Sequence, residues 1–338
     1  MSGHVAVIGT GSWGTTFAQV CAHAGQDVVL WGRDAQIVAG INSHRNDRYL
    51  PGIELDSRIR ATGDMAAAVA GADLVVVAIP SQIARAALAP IRGTLGPDTV
   101  VLSLMKGIEL ETNLRMSQVL AAALAVPPPQ VAVLSGPNLA KEIAAQQPTA
   151  TVVAAPELEV AAAVAHRCAA PYFRPYTNTD MIGVELGGAV KNVIALAAGI
   201  ARGLGFGQNT AATIMTRGLV ETSRLGLALG ANPETFAGLA GMGDLVATCG
   251  SPLSRNQSFG QAIGEGLDLA AAQARTGGTA EGVKSCLSIK ALAESAGVEM
   301  PIVNGIVAVL HGGRDPREVT QALLARPRKT EGVAGEQH

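Results

Sequence analysis

Val5-Ala6-Val7-Ile8-Gly9-Thr10-Gly11-Ser12-Trp13-Gly14, near the start of a 338-residue chain, is the stretch whose reading decides the fold. Four apolar residues in a row predict a buried strand, and the glycines behind them predict an abrupt turn into a helix. The three glycines do different things. Gly9 makes the tight turn, Gly11 lets backbone approach a phosphate, and Gly14 lets helix and strand pack closely. A helix that starts there points free N–H groups and the positive end of its dipole at an anion. The spacing alone is weak in a chain with 40 glycines, so its surroundings matter. An apolar helix over 15–24, a stop at Gly25 and a second strand over 27–31 complete a β-α-β unit, which makes the loop a dinucleotide site.

The end of that second strand bears on which dinucleotide. An NAD site places an acid there for the ribose hydroxyls, but the chain reads Gly32-Arg33-Asp34. Arg33 suits a 2′-phosphate and favours NADP(H), while Asp34 leaves NAD(H) open if the strand ends one residue later.

Further on, apolar runs over 72–79, 100–104, 131–134 and 149–154 read as strands of a parallel sheet buried on both faces, the last at its far side. Their alternation with helical sequence predicts a doubly wound, Rossmann-type α/β domain over residues 1–182. Ligands in such sheets bind beyond the carboxyl ends of the strands, so Pro80-Ser81, Met105-Lys106-Gly107 and Ser135-Gly136-Pro137-Asn138 should face one crevice with Gly9. After about residue 180 the texture becomes rich in Ala, Leu and Gly, with helices expected over 184–203, 211–229, 233–239, 257–263, 281–296 and 301–309. This predicts an all-helical domain over 183–326, followed by a mobile polar tail over 327–338.

Composition narrows the function classes. With 48% apolar and 15% charged residues the chain buries sizeable cores, and a net charge of −2 without a basic block leaves no footprint for nucleic acid. An anionic ligand must then be held by a local cluster of charge. No membrane span is expected, because the most apolar helical stretch, 186–201, is short and contains Lys191 and Asn192. The first apolar stretch is the glycine-loop strand rather than a leader, so the expected location is the cytoplasm. Cys21, Cys168, Cys249 and Cys286 are far apart, read as buried free thiols, and with the six histidines show no metal-ligand spacing.

Lys191-Asn192 is the strongest chemical signal in the second half. Burying an amine and an amide without partners costs several kcal/mol, and desolvation lowers a lysine pKa toward the range useful for proton exchange. A second cluster runs Gly241-Met242-Gly243-Asp244-Leu245-Val246-Ala247-Thr248, read as a glycine-rich stretch between helices, then Ser254-Arg255-Asn256. Those last three residues form a compact anion site at a helix entry, or a helix cap, two roles that are compatible. Lys106 leaves a strand end beside the crevice as either a solvated charge or a cation facing the substrate, and Glu281 is either a first-turn acid or a ribose ligand.

Taken in order, GTGSWGT from Gly9, SLMKGIE from Ser103, SGPNLAKE from Ser135, GGAVKNVIALAAGI from Gly187, AGMGDLVATC from Ala240, SRN from Ser254 and EGV from Glu281 resemble the bacterial NAD(P)-dependent glycerol-3-phosphate dehydrogenases. The resemblance implies reversible hydride transfer between NAD(P)H and dihydroxyacetone phosphate, supplying sn-glycerol 3-phosphate for phospholipid synthesis. It also implies roles at the matching positions. Lys191 is the general acid/base, Asp244 bonds Lys191 or a substrate hydroxyl, and Asn192 and Thr248 support orientation. Ser254, Arg255 and Asn256 hold the substrate phosphate, with Arg255 also reaching the cofactor. Lys106, Gly136 and Asn138 line the substrate side of the crevice, Lys106 touching the cofactor as well, and Ser12, Trp13, Arg33, Ala140 and Glu281 contact the dinucleotide. A single basic residue at Arg33, where some relatives carry two, weakens the inference about cofactor choice. The apolar helices of the second half are compatible with a homodimer. A related reductase of β-hydroxy acids would share the loop and the lysine but need a carboxylate site instead of Ser254-Arg255-Asn256.

Overall fold

The computed structural model describes residues 3–277 and 280–326, so the expected tail over 327–338 lies outside the described residues. Eight strands form one sheet: β1 His4–Ile8, β2 Val28–Trp31, β3 Ile59–Thr62, β4 Ala72–Val77, β5 Val100–Ser103, β6 Val131–Ser135, β7 Thr149–Ala154 and β8 Phe173–Asn178. Their spatial order is β3-β2-β1-β4-β5-β6-β7-β8, and β1 pairs in parallel with β2 on one side (Val7 beside Leu30) and β4 on the other (Val7 beside Val76). The chain therefore reverses direction across the sheet at β1/β4, where a doubly wound sheet opens its crevice.

The uninterrupted apolar runs are explained by burial on both faces. Val5, Val7, Leu30 and Val76 pack beneath Phe17 and Val20 of the helix Ser12–His23. Their neighbours Ala6, Ile8, Val75 and Val77 point the other way, against Leu88, Ile91 and Leu120.

The sheet differs from the all-parallel expectation in two respects. β6 and β7 are antiparallel, and β7 then pairs in parallel with β8. Two strands were also unexpected. β3 reads Ile59-Arg60-Ala61-Thr62 with only its first residue buried, and β8 carries Pro175 and is mostly solvent-facing at the sheet edge. Edge strands of this kind lack the apolar run or alternation that marks a strand.

Helices follow from Met181 onward. The central one, Met181–Gly203, is 23 residues long with a mean hydropathy of 1.5, so the expectation that it is too short for a membrane does not hold by length. Its role is set by burial instead: 83% of its most apolar window lies inside the protein, packed by helices Gln208–Ala228, Arg255–Gly264 and Glu281–Ser295. Close approach to Arg255–Gly264 depends on glycines, since a Cβ on Gly199 would sit 2.1 Å from the Gln257 carbonyl oxygen and one on Gly260 2.2 Å from that of Leu196. The stretch read as a loop around Asp244 is also helical, a π-turn over Leu239–Gly243 running into a helix Asp244–Gly250. Gly241 serves contact rather than a turn, because a Cβ there would meet the Phe236 carbonyl oxygen at 2.2 Å. Helices Leu269–Arg275 and Pro316–Leu324 complete the described second half and were not expected either.

Candidate active site

The glycine loop leaves β1 with Gly9 at φ +125, a conformation that favours glycine. A Cβ on Gly14 would stand 2.1 Å from the Gly9 carbonyl oxygen, so this glycine sets the closeness of helix and strand. Gly11 caps the helix in extended conformation and has nothing within 4 Å of the position a Cβ would take. Open space in front of a helix N-terminus fits a pyrophosphate. Ser12 opens the helix, and Trp13 stacks edge-on against Phe17 with ring centroids 5.7 Å apart while its buried indole N–H has no protein partner. The Thr16 hydroxyl donates to the Ala140 carbonyl at 3.3 Å, which brings Ala140 to the same helix. Arg33 lies two residues beyond the end of β2, and Asp34 is held as a helix cap, its carboxylate accepting from Gln36 N at 2.9 Å and Ile37 N at 3.3 Å.

Asp244 is the centre of a buried charge cluster, 1% exposed and accepting from two lysines. Lys191 Nζ donates to its Oδ1, and Lys106 Nζ to its Oδ2 at 2.5 Å. Lys191 also donates to Thr248 Oγ1 at 2.7 Å, and that hydroxyl donates a hydrogen bond to Asp244 Oδ1 at 3.3 Å. Lys106 makes a further bond to the Gly136 carbonyl at 3.2 Å. The sheet half thus contributes Lys106 and Gly136, and the helical half Lys191, Asp244 and Thr248. Lys191 does not snorkel: it is 7% exposed, with apolar helix on either side of it in sequence. Burial lowers its pKa from the ordinary 10.5 to about 7, helped by the charge of Lys106 and opposed by Asp244. The ammonium and the amine are therefore both accessible near neutral pH.

Around this centre the other expected residues divide into free and committed groups. Asn192 is 4% exposed and its Oδ1 accepts from Asn256 Nδ2 at 3.0 Å, while Asn256 Oδ1 accepts from Gly282 N at 3.0 Å. Asn256 thus ties three helices together at the site. Ser254 caps the helix Arg255–Gly264 through Gln257 N at 3.3 Å, so the capping role is present. Arg255 is exposed at the first turn of that helix, and its charge reaches Glu281. Glu281, at the start of its helix, has a carboxyl held above the ordinary range by burial, against the opposing charges of Arg255, Lys106 and Lys191. Asn138 donates to Thr151 Oγ1 at 3.0 Å and leaves its buried Oδ1 without a protein partner.

Sequence reasoning placed Ser135 at the crevice without a role and missed Thr151 and Asn46. Ser135 Oγ lies 3.5 Å from Asp244 Oδ2, Thr151 Oγ1 donates to the Ser135 carbonyl at 3.0 Å, and Asn46, 3% exposed, ties its turn to the glycine loop. Only the small polar residue closing the apolar run at Ser135 carried a signal. The four cysteines are free and buried, and among the described residues no group of three or more His, Cys, Asp or Glu could hold a metal ion.

Residues 4–161 match the NAD-dependent glycerol-3-phosphate dehydrogenase N-terminus and residues 180–321 the C-terminus of the same family. The glycerol-3-phosphate dehydrogenase [NAD(P)+] of Thermobifida fusca is 57% identical over 329 residues, 97% of this chain and 98% of the relative. The crystal structure of glycerol-3-phosphate dehydrogenase from Coxiella burnetii superposes with a TM-score of 0.90 at 38% identity, covering 96% of this chain and 99% of that one. A ketopantoate reductase from Ralstonia eutropha, at 20% identity and a TM-score of 0.60 over 95% of this chain and 99% of its own, shares the fold alone. The chain belongs to the NAD(P)-dependent glycerol-3-phosphate dehydrogenase family.

Proposed function

We propose that this enzyme interconverts dihydroxyacetone phosphate and sn-glycerol 3-phosphate, with Lys191 giving and taking the proton and NADP(H) preferred to NAD(H). The observation that carries the reading is the buried Lys191 ammonium, bonded to Asp244 and Thr248 and lowered in pKa to about 7. A nicotinamide, when bound, supplies the hydride to the carbonyl carbon or accepts it from the alcohol. In reduction Lys191 Nζ gives its proton to the carbonyl oxygen, and in oxidation the neutral amine removes it, an effect worth roughly 10²–10⁴ in rate.

Asp244 and Thr248 fix where Nζ points, and Lys106 keeps the Asp244 charge paired while lining the substrate side with Gly136 and Asn138. Arg255, with Ser254 and Asn256 setting the helix entry around it, is the cation for the substrate phosphate. Ser12, Trp13, Arg33, Ala140 and Glu281 complete the dinucleotide side with the glycine loop. The reading divides the chain into a dinucleotide-binding part over 1–182 and a substrate part over 183–326, in a cytoplasmic enzyme, compatible with a homodimer, that feeds phospholipid synthesis.

The test is oxidation of NADPH and of NADH with dihydroxyacetone phosphate, followed by loss of nicotinamide absorbance. Turnover with the phosphorylated ketone, weak turnover with unphosphorylated dihydroxyacetone and a preference for NADPH are expected. Absence of turnover with either cofactor would overturn the substrate assignment.

A further inference from the structure

The end of β2 offers one cation in sequence, Arg33, for a cofactor phosphate. The fold brings a second from a turn that no sequence spacing connects to it. Asp34 Oδ1 is taken up by the helix cap, and its Oδ2 accepts from Arg48 Nη1 at 3.1 Å. Arg48 belongs to the turn Asn46-Asp47-Arg48-Tyr49-Leu50, which is pinned to the glycine loop rather than free. Asn46 Nδ2 donates to the Thr10 carbonyl at 3.0 Å and to Thr15 Oγ1 at 2.8 Å. The Asn46 carbonyl accepts from Tyr49 N at 3.1 Å and Leu50 N at 2.8 Å, and Leu50 is 2% exposed. With both ends held, Arg48 extends over the strand end, its guanidinium 5.6 Å from the Tyr49 ring centroid.

We infer that Arg48 is a specificity-determining residue, the second guanidinium of a site for the 2′-phosphate of NADP(H), with Asp34 as the residue that positions it. The inference rests on the NADP(H) preference proposed above and names the residue that sustains it. Two physical effects combine. The pairing neutralises Asp34, the acid that would otherwise repel a 2′-phosphate. Asp34 takes one of the five donors of Arg48, and the others remain for phosphate oxygens in the planar geometry that suits them. Gly32 keeps this corner tight, because a Cβ there would meet Thr10 Oγ1 at 2.7 Å, so the strand end, the glycine loop and the Asn46 turn lie together.

The test is direct binding without substrate, so it is independent of the substrate assignment. Both tryptophans of the chain, Trp13 and Trp31, flank the site and report cofactor by fluorescence quenching. Arg48→Ala is expected to raise the NADPH dissociation constant about tenfold, the scale of one charge-assisted contact, and to leave that for NADH within about twofold. Arg48→Lys should recover part of the loss, since it restores charge but not the fork. An NADPH preference that survives Arg48→Ala, or equal weakening of both cofactors, would overturn the role of Arg48 alone. A wild-type protein that binds NADH as tightly as NADPH would overturn both this inference and the cofactor preference beneath it.

Discussion

Asp244→Asn is the perturbation that separates an acid/base lysine from a merely buried one. Asp244 is 1% exposed and stands between the ammonium groups of Lys191 and Lys106, raising the Lys191 pKa where Lys106 lowers it. Two unit charges about 4 Å apart interact by about 4 kcal/mol at an effective dielectric of about 20. The asparagine keeps an acceptor and Lys106 can lean toward water, which leaves a net loss of about 1.4–2.8 kcal/mol, or about 1–2 pKa units. The Lys191 titration then moves downward from about 7. At neutral pH the protonated fraction falls from about half to between about one in ten and one in a hundred. Ketone reduction needs the ammonium, so its rate should fall as pH rises, with the inflection displaced to acid in the variant. Alcohol oxidation needs the amine, so its rate should rise with pH and reach its plateau earlier.

The assay is kcat against pH in both directions, with cofactor binding measured in parallel to exclude a collapsed site. Stability gives an independent sign. Folding depresses the Lys191 pKa below 10.5, so the unfolded chain binds more protons and this residue's contribution to stability rises with pH from about 7 up to the unfolded value. In Asp244→Asn that window extends to lower pH, so the melting temperature should fall further on acidification than in the wild type. An inflection that stays in place, or that moves to alkaline pH, would refute the electrostatic reasoning.

Arg255→Ala should raise KM for dihydroxyacetone phosphate by roughly 10- to 100-fold, the scale of a charge-assisted contact to phosphate, with a much smaller change in kcat. Steady-state kinetics with unphosphorylated dihydroxyacetone provide the check, since an equal effect there would remove Arg255 from the phosphate site. Glu185→Gln should destabilise the fold by about 3–5 kcal/mol in denaturant titrations. Glu185, in the same long helix as Lys191, accepts from Arg115 and, at 2.7 Å each, from Ser117 N and Ser117 Oγ, which fastens that helix to the sheet half. An unchanged midpoint would show that this buried pair carries no weight in joining the two halves.

The parts of the fold legible in sequence are those where burial leaves a continuous mark. β1, β4, β5 and β6 are buried on both faces and read as apolar runs, while Gly9 and Gly14 mark a turn and a contact that larger residues would obstruct. β3 and β8 escaped because an edge strand needs little apolar surface, and the antiparallel direction of β7 escaped because direction leaves no trace in composition. The helix carrying Asp244 escaped for a different reason: Gly241 and Gly243 look like loop glycines, but Gly241 lies where backbone meets backbone at Phe236. Lys191 could be singled out as a charge in an apolar helix. Its partner Asp244 is named only through the family resemblance and not through spacing, since that acid lies 53 residues away and its contact with Lys106 spans 138. Spacing is equally silent on Arg48, whose approach to Asp34 depends on the anchoring of Asn46.

The most direct test of the central claim is turnover of Lys191→Met, which fills the lysine's place with an unbranched apolar chain and leaves Asp244 paired with Lys106. Multiple-turnover kinetics with dihydroxyacetone phosphate and NADPH, from acid to alkaline pH, should show a loss of at least about 10²-fold with the NADPH dissociation constant and melting temperature preserved. Near wild-type turnover at any pH in a folded, cofactor-binding variant would contradict the assignment of Lys191 as the proton donor and acceptor.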